Sequence, residues 1–147
     1  MILAIDPGAN GGIAYNLNGV ITALPMPDTE GDIRDLIMPL LVYGPEVWIE
    51  QVGGFVKGSP APGSAMFNFG RNVGFLHGLL AAGKARVRVV TPQKWQKELS
   101  LGEKKSHKGN GWKNHLKERA QQLYPDLKVT LKTADALLIL EHARRQK

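Results

Sequence analysis

The 147-residue chain predicts a mixed α/β sheet flanked by helices, and three observations carry that prediction. The chain opens with short apolar runs joined by glycine-rich turns, the pattern of an antiparallel meander. From Asp32 onward, stretches of helical period alternate with short apolar strands, the pattern of parallel crossover units. Three carboxylates, Asp6, Glu50 and Asp135, each stand at the end of one of these buried-type segments.

Ile2–Ile5 is the first strand, ending at Asp6 and the turn Pro7-Gly8-Ala9-Asn10-Gly11-Gly12. Gly12–Leu17 and Val20–Leu24 form a hairpin, because Asn18-Gly19 between apolar runs is a strong turn signal. Pro25 and Pro27 end that unit. Asp32–Leu41 is a helix with Ile33, Leu36, Ile37 and Leu40 on its apolar face. Glu46–Glu50 is a short strand, followed by a Gly/Pro-dense loop from Gly53 to Gly63. Ser64 caps a long helix to about Ala82, with Met66, Phe69, Val73, Leu76 and Leu80 as its stripe. Gly70, Gly74 and Gly78 recur along it, and since each costs roughly 1 kcal/mol against Ala, close contact with a sheet or partner is expected. Arg86–Val90 is a strand, and Thr91-Pro92 starts a short helix through Leu99. Trp112–Tyr124 is a basic amphipathic helix ended by Pro125, and Thr133–Arg145 is an apolar final helix. No linker or repeat divides the chain, so one domain over 1–147 is expected.

Charge is uneven along the chain. Residues 1–83 carry 3 Lys/Arg against 7 Asp/Glu, a net of −4, and residues 84–147 carry 16 against 6, a net of +10. An acidic front and a basic back suit an enzyme acting on phosphodiesters, with carboxylates for metal and lysines for phosphates. The basic residues cluster around a Gly-rich loop, Gly102 to Gly111, which weighs against a merely solvated surface. The absence of cysteine excludes disulfides and thiolate metal sites. No apolar stretch is of membrane-spanning length, and Met1 leads straight into a strand-like run, so a cytoplasmic protein without membrane contact is expected.

Acidic side chains rarely finish in a core unless paired or metal-bound. Asp6, Glu50 and Asp135 therefore point to one shared cation site, of the all-oxygen kind that Mg²⁺ accepts. In a mixed sheet the first and fourth strands lie side by side, which brings Asp6 and Glu50 together at their carboxyl ends. The final helix, packed on the sheet, adds Asp135. Plainer roles exist for each: a turn aspartate, an exposed strand-end charge, a first-turn dipole partner. Their joint occurrence weighs against all three.

The motifs Ile5-Asp6-Pro7-Gly8, Ile49-Glu50-Gln51-Val52 and Thr133-Ala134-Asp135-Ala136-Leu137-Leu138-Ile139 resemble those of RuvC-type Holliday-junction resolvases, within the RNase H-like superfamily. Met66-Phe67-Asn68-Phe69-Gly70-Arg71 and Val90-Thr91-Pro92-Gln93-Lys94-Trp95-Gln96-Lys97 resemble the bacteriophage branch of that family. The resemblance covers essentially the whole chain. It implies an RNase H-like fold and a homodimeric, Mg²⁺-dependent endonuclease, with Mn²⁺ as a substitute, that has branched DNA as its partner and nicks four-way junctions symmetrically. A phage enzyme of this kind works in the bacterial host cytoplasm.

In a paired-metal mechanism the ions lie about 4 Å apart. Asp6 is the bridging candidate, with Glu50 and Asp135 on either flank. The resemblance also implies catalytic lysines, for which Lys97, Lys108 and Lys113 are candidates. Lys57, Arg71, Lys94, Lys97, Lys104, Lys105, Lys108 and Lys113 are candidate DNA contacts, and Phe55 is a candidate base-stacking wedge. Trp48, Trp95 and Trp112 are expected as packing residues, and His77 as structural. One departure stands out: the family's fourth ligand falls on Leu131 or Lys132, neither of which can serve. Glu141 and His142 lie about 9–10 Å further along the helix axis, and His107 is another stand-in. A junction-binding protein with a degraded metal site, an actin-like ATPase and a nuclease for RNA–DNA hybrids are the competing readings.

Overall fold

The computed structural model describes residues 1–53 and 63–146. Its five-stranded sheet has the order β3-β2-β1-β4-β5. The strands are β1 (Ile2–Asp6), β2 (Gly12–Leu17), β3 (Val20–Pro25), β4 (Glu46–Glu50) and β5 (Arg86–Val90). β1, β2 and β3 form the expected antiparallel meander, while β4 and β5 add in parallel beside β1. The helices are α1 (Glu30–Leu41), α2 (Gly63–Ala82), α3 (Pro92–Glu98), α4 (Gly111–Leu123) and α5 (Ala134–Arg145). A single 3₁₀ turn, Lys104–Ser106, interrupts the basic loop. No described helix is long and apolar enough to cross a membrane.

Strand alternation sorts the core into two layers. Leu3, Ile5, Ile13, Val47 and Ile49 pack against Ile33, Ile37 and Leu40 of α1 and Leu76 and Leu80 of α2. Ile2, Ala4, Ala14 and Trp48 point the other way, onto α3, α4 and α5 through Trp95, Leu99, Trp112, Leu116, Leu137 and Leu140. The three tryptophans are each at most 5% exposed, as expected of packing residues. α5 is apolar nearly all round because it lies flat across β1 and β2 and is covered by α4.

Two expectations change. Helix α1 begins two residues earlier than its apolar period indicates, because Thr29 caps it: its Oγ1 accepts the Asp32 N–H at 3.1 Å. The three α2 glycines do not touch the sheet. They are exposed, and a methyl added to any of them would meet nothing within 4 Å. The helix turns its Leu76 and Leu80 edge inward and leaves the glycine face outside. His77 is likewise exposed rather than buried in that stripe.

A different glycine sets how close α5 comes. A Cβ on Gly12 would stand 2.5 Å from the Lys132 carbonyl oxygen and 2.8 Å from that of Leu24. Both neighbours are backbone, so neither yields cheaply. Gly12→Ala is therefore expected to cost about 1–3 kcal/mol by overpacking, read as a lower midpoint in urea unfolding. An unchanged midpoint would contradict the close approach.

Candidate functional site

β1 and β4 are parallel neighbours with Ile5 opposite Ile49, so Asp6 and Glu50 end adjacent strands at the same edge. Both follow the alternation of Ala4 and Trp48 and therefore face α5. The turn after Asp6 is tight. Gly8 adopts φ +104°, where a side chain is strained, and its N–H donates to Asn72 Oδ1 at 3.0 Å. A side chain at Gly11 would run into the Asp6 carbonyl. On the opposite wall, Thr130 and Thr133 bond to each other just before α5, and Asp135 sits in that helix's first turn.

Asp6 and Asp135 are only 8% and 7% exposed, and Glu50 is half-buried. Burial pushes the Asp6 carboxyl up to about 8, reinforced by Asp135 and then Glu50, and opposed by Lys113. Burial likewise pushes Glu50 up to about 7; the Trp95 hydrogen bond opposes this, Asp135 adds to it, and Lys113 opposes it. The charges of the three carboxylates are thus coupled. Lys113 Nζ donates to Asp135 Oδ2 at 3.0 Å. Burial alone would lower the Lys113 ammonium pKa, but Asp135, Asp6 and Glu50 outweigh it and hold the group protonated.

Among the described residues, no three His, Cys, Asp or Glu side chains are placed so as to hold a metal ion. The donor set nonetheless fits a hard cation. It is all oxygen, and Asp135 Oδ1 is buried with no hydrogen-bond partner, an acceptor for which no donor is supplied. Asp6, Glu50 and Asp135 are the residues that would hold such an ion.

Glu50, Asp135 and Lys113 line one open cleft of about 810 Å³ with Lys97, Lys104, Gln93, Gln96 and Trp112. The other candidates lie elsewhere. Lys94 is on α3 but outside this lining. Lys105 pairs with Glu103 at 2.7 Å, and Arg71 with Glu30 at 2.8 Å. Lys108 is exposed in the loop and does not line the cleft. Phe55 and Lys57 lie outside the described residues.

None of the stand-ins for a fourth ligand joins the carboxylates. Glu141 accepts from Tyr124, Arg144 and Arg145. His142 is fully buried, edge-on to Trp48 with ring centroids 5.1 Å apart. His107 packs on Trp112 and His115 at 5.3 and 4.7 Å, tying the basic loop to α4. Leu131 and Lys132 are exposed.

Trp95 does more than pack. Its indole N–H donates to Glu50 Oε2 at 2.8 Å, which fixes one oxygen of that carboxylate. Nothing in the spacing signals this, since α3 follows β5 and meets Glu50 only through space. A partner in this position typically alters metal affinity or activity about 10–100-fold. Trp95→Phe keeps most of the packing and removes the donor. Glu50 is then expected to titrate at higher pH in carboxyl-carbon NMR, and Mn²⁺ binding to weaken about 10–100-fold. An unmoved Glu50 titration would contradict a positioning role.

No protein-family model and no curated protein sequence matches the chain. Solved structures do. The chain is similar to the RuvC structure of Thermus thermophilus at 16% identity and TM-score 0.59, covering 99% of this chain and 95% of that one. It is similar to T. thermophilus RuvC in complex with a Holliday junction substrate at 14% identity and TM-score 0.61, with the same coverage. The fold is therefore RNase H-like, as in RuvC.

Proposed function

We propose that this protein is a structure-selective DNA endonuclease that hydrolyses phosphodiesters in four-way junctions, using Mg²⁺ and acting as a homodimer. The observation that carries the reading is the meeting of Asp6, Glu50 and Asp135 at one end of the sheet, beside a cleft lined by Lys97, Lys104 and Lys113. The likeness to a RuvC solved on a Holliday junction supports the choice of substrate. The phage-like motifs Met66–Arg71 and Val90–Lys97 support a viral source.

A bound divalent ion would supply activated water and neutralise charge on the phosphate. The chain's own residues do the rest. Lys97 and Lys104 draw a backbone phosphate into the cleft, and Trp95 holds Glu50 in place. Water oxygen bonds to phosphorus as one P–O bond breaks, leaving a phosphate monoester and a hydroxyl. Lys113 lies where negative charge on the phosphoryl group would accumulate. A four-way junction presents two symmetric scissile sites, which a two-fold dimer matches. The open face of α2, with Phe67 71% exposed beside Gly70, Gly74 and Gly78, supports a dimer contact there.

A second reading is a junction-binding protein without hydrolysis. It draws on Lys113 within the acidic cluster and on the lack, among the described residues, of three side chains placed to hold a metal. Incubation of a synthetic four-way junction with Mg²⁺ separates the two. Paired symmetric nicks are expected, absent from linear duplex and reduced at least about 10³-fold in Asp6→Asn, as when a group central to transition-state stabilisation is lost. Tight binding without nicks in either Mg²⁺ or Mn²⁺ would establish the second reading.

A further inference from the structure

The turn that follows Asp6 is fastened from outside its own strand pair. Gly8 C=O accepts the Gly11 N–H at 2.9 Å, and Gly11 C=O accepts the Met26 N–H at 3.0 Å. Those two bonds close the turn and tie it to the end of β3. The Gly8 N–H points elsewhere and donates to Asn72 Oδ1 at 3.0 Å, a side chain 64 positions away on α2. We propose that Asn72 is a positioning residue: from α2 it fixes the Gly8 turn, and thereby the direction in which Asp6 is presented at the end of the sheet. The proposal rests on the nuclease reading and adds a residue to which that reading gives no role.

Helix packing delivers the amide. Leu76 and Leu80, both fully buried, dock α2 on the sheet. Asn72 lies one turn before Leu76 on the same face, so the docked helix carries its amide to the carboxyl end of β1. Phe69 comes with it: a Cβ on Gly8 would stand 3.0 Å from Phe69 Cε2 and 3.3 Å from Cδ2. Gly8 is therefore held between a ring and an amide, at φ +104°, a conformation that strains any residue with a side chain.

Asp6 pairs with Gly12 at the last rung of the β1–β2 ladder, so Pro7 and Gly8 are the first residues to leave the sheet. Glycine has the widest backbone freedom of any residue, so a hydrogen bond to its N–H restrains the chain most where it is otherwise least restrained. With Gly8 held, Asp6 keeps one orientation toward Glu50 and Asp135 before a substrate arrives. Groups held in advance in this way contribute more to a reaction than groups that must be ordered during it.

Two readouts on the whole chain test this. Amide hydrogen exchange at Gly8 is expected to be slow in wild type and in Asn72→Asp, which keeps an acceptor. In Asn72→Leu, which keeps the volume and removes the acceptor, it is expected to be at least about tenfold faster. Cleavage of a synthetic four-way junction in Mg²⁺ is expected to lose about 10²-fold in kcat in Asn72→Leu with KM unchanged, the effect of a misplacement of roughly 1 Å. A role in stability alone would lower the unfolding midpoint and leave kcat per folded molecule as it was. Unchanged Gly8 exchange in folded Asn72→Leu would overturn the proposal, as would faster exchange with unchanged kcat. Asn72→Ala gives the same contrast if the leucine variant does not fold. Wild type that binds the junction without cutting it would sink the nuclease reading, and the Gly8 exchange contrast would then decide alone whether Asn72 holds the turn.

Discussion

Three carboxylates share one end of the sheet, and much of the structure follows from keeping them there. Ionised together without a cation they would repel one another strongly in a low-dielectric gap. The protein answers in two ways: Lys113 pairs with Asp135, and Asp6 and Glu50 hold their protons to about 8 and 7. Both values are raised above the unfolded ones, 3.8 and 4.5. Between those limits the unfolded chain has released protons that the folded chain keeps, so folding stability without metal falls as pH rises through this window. A bound divalent ion would oppose that trend, because it would favour the ionised carboxylates.

The close approach of α5 is the geometric side of the same constraint. The chain leading into α5 passes close over Gly12, which has no side chain to hold off the Lys132 carbonyl, and Gly11 lets the turn fold back on Asp6. α4 then adds Lys113 from one side, and α3 adds the Trp95 indole from another. Five elements thus converge on one edge, where parallel strands end and ligands of open α/β sheets gather. The basic loop is tied down nearby through the stack of His107, Trp112 and His115, which keeps Lys104 at the cleft mouth.

Asp6, Glu50 and Asp135 were legible in the sequence because each interrupts or bounds an apolar segment, where a charge is conspicuous. The meander and crossover order were legible because turns and periodicity are local signals. Pairings through space were not. Trp95 reads as a core aromatic, and its bond to Glu50 arises only when α3 folds over the end of β4. Lys113 is one of six lysines between 94 and 113 with similar local patterns; only the docking of α4 singles it out. The α2 glycines read as a close contact with a sheet or a partner, and only the sheet contact is overturned, because the helix presents that face outward. Arg71 and Lys105, candidate DNA contacts, pair with Glu30 and Glu103, partners that composition does not reveal.

Asp6 and Glu50 hold protons that a divalent ion would have to displace. Calorimetric titration with Mg²⁺ in buffers of different ionisation enthalpy measures that displacement directly. At pH 7 about one to two protons are expected to leave per bound ion, falling toward zero above about pH 9 as both carboxyls ionise beforehand. Binding without proton release at pH 7, or with a release that does not change with pH, would contradict it.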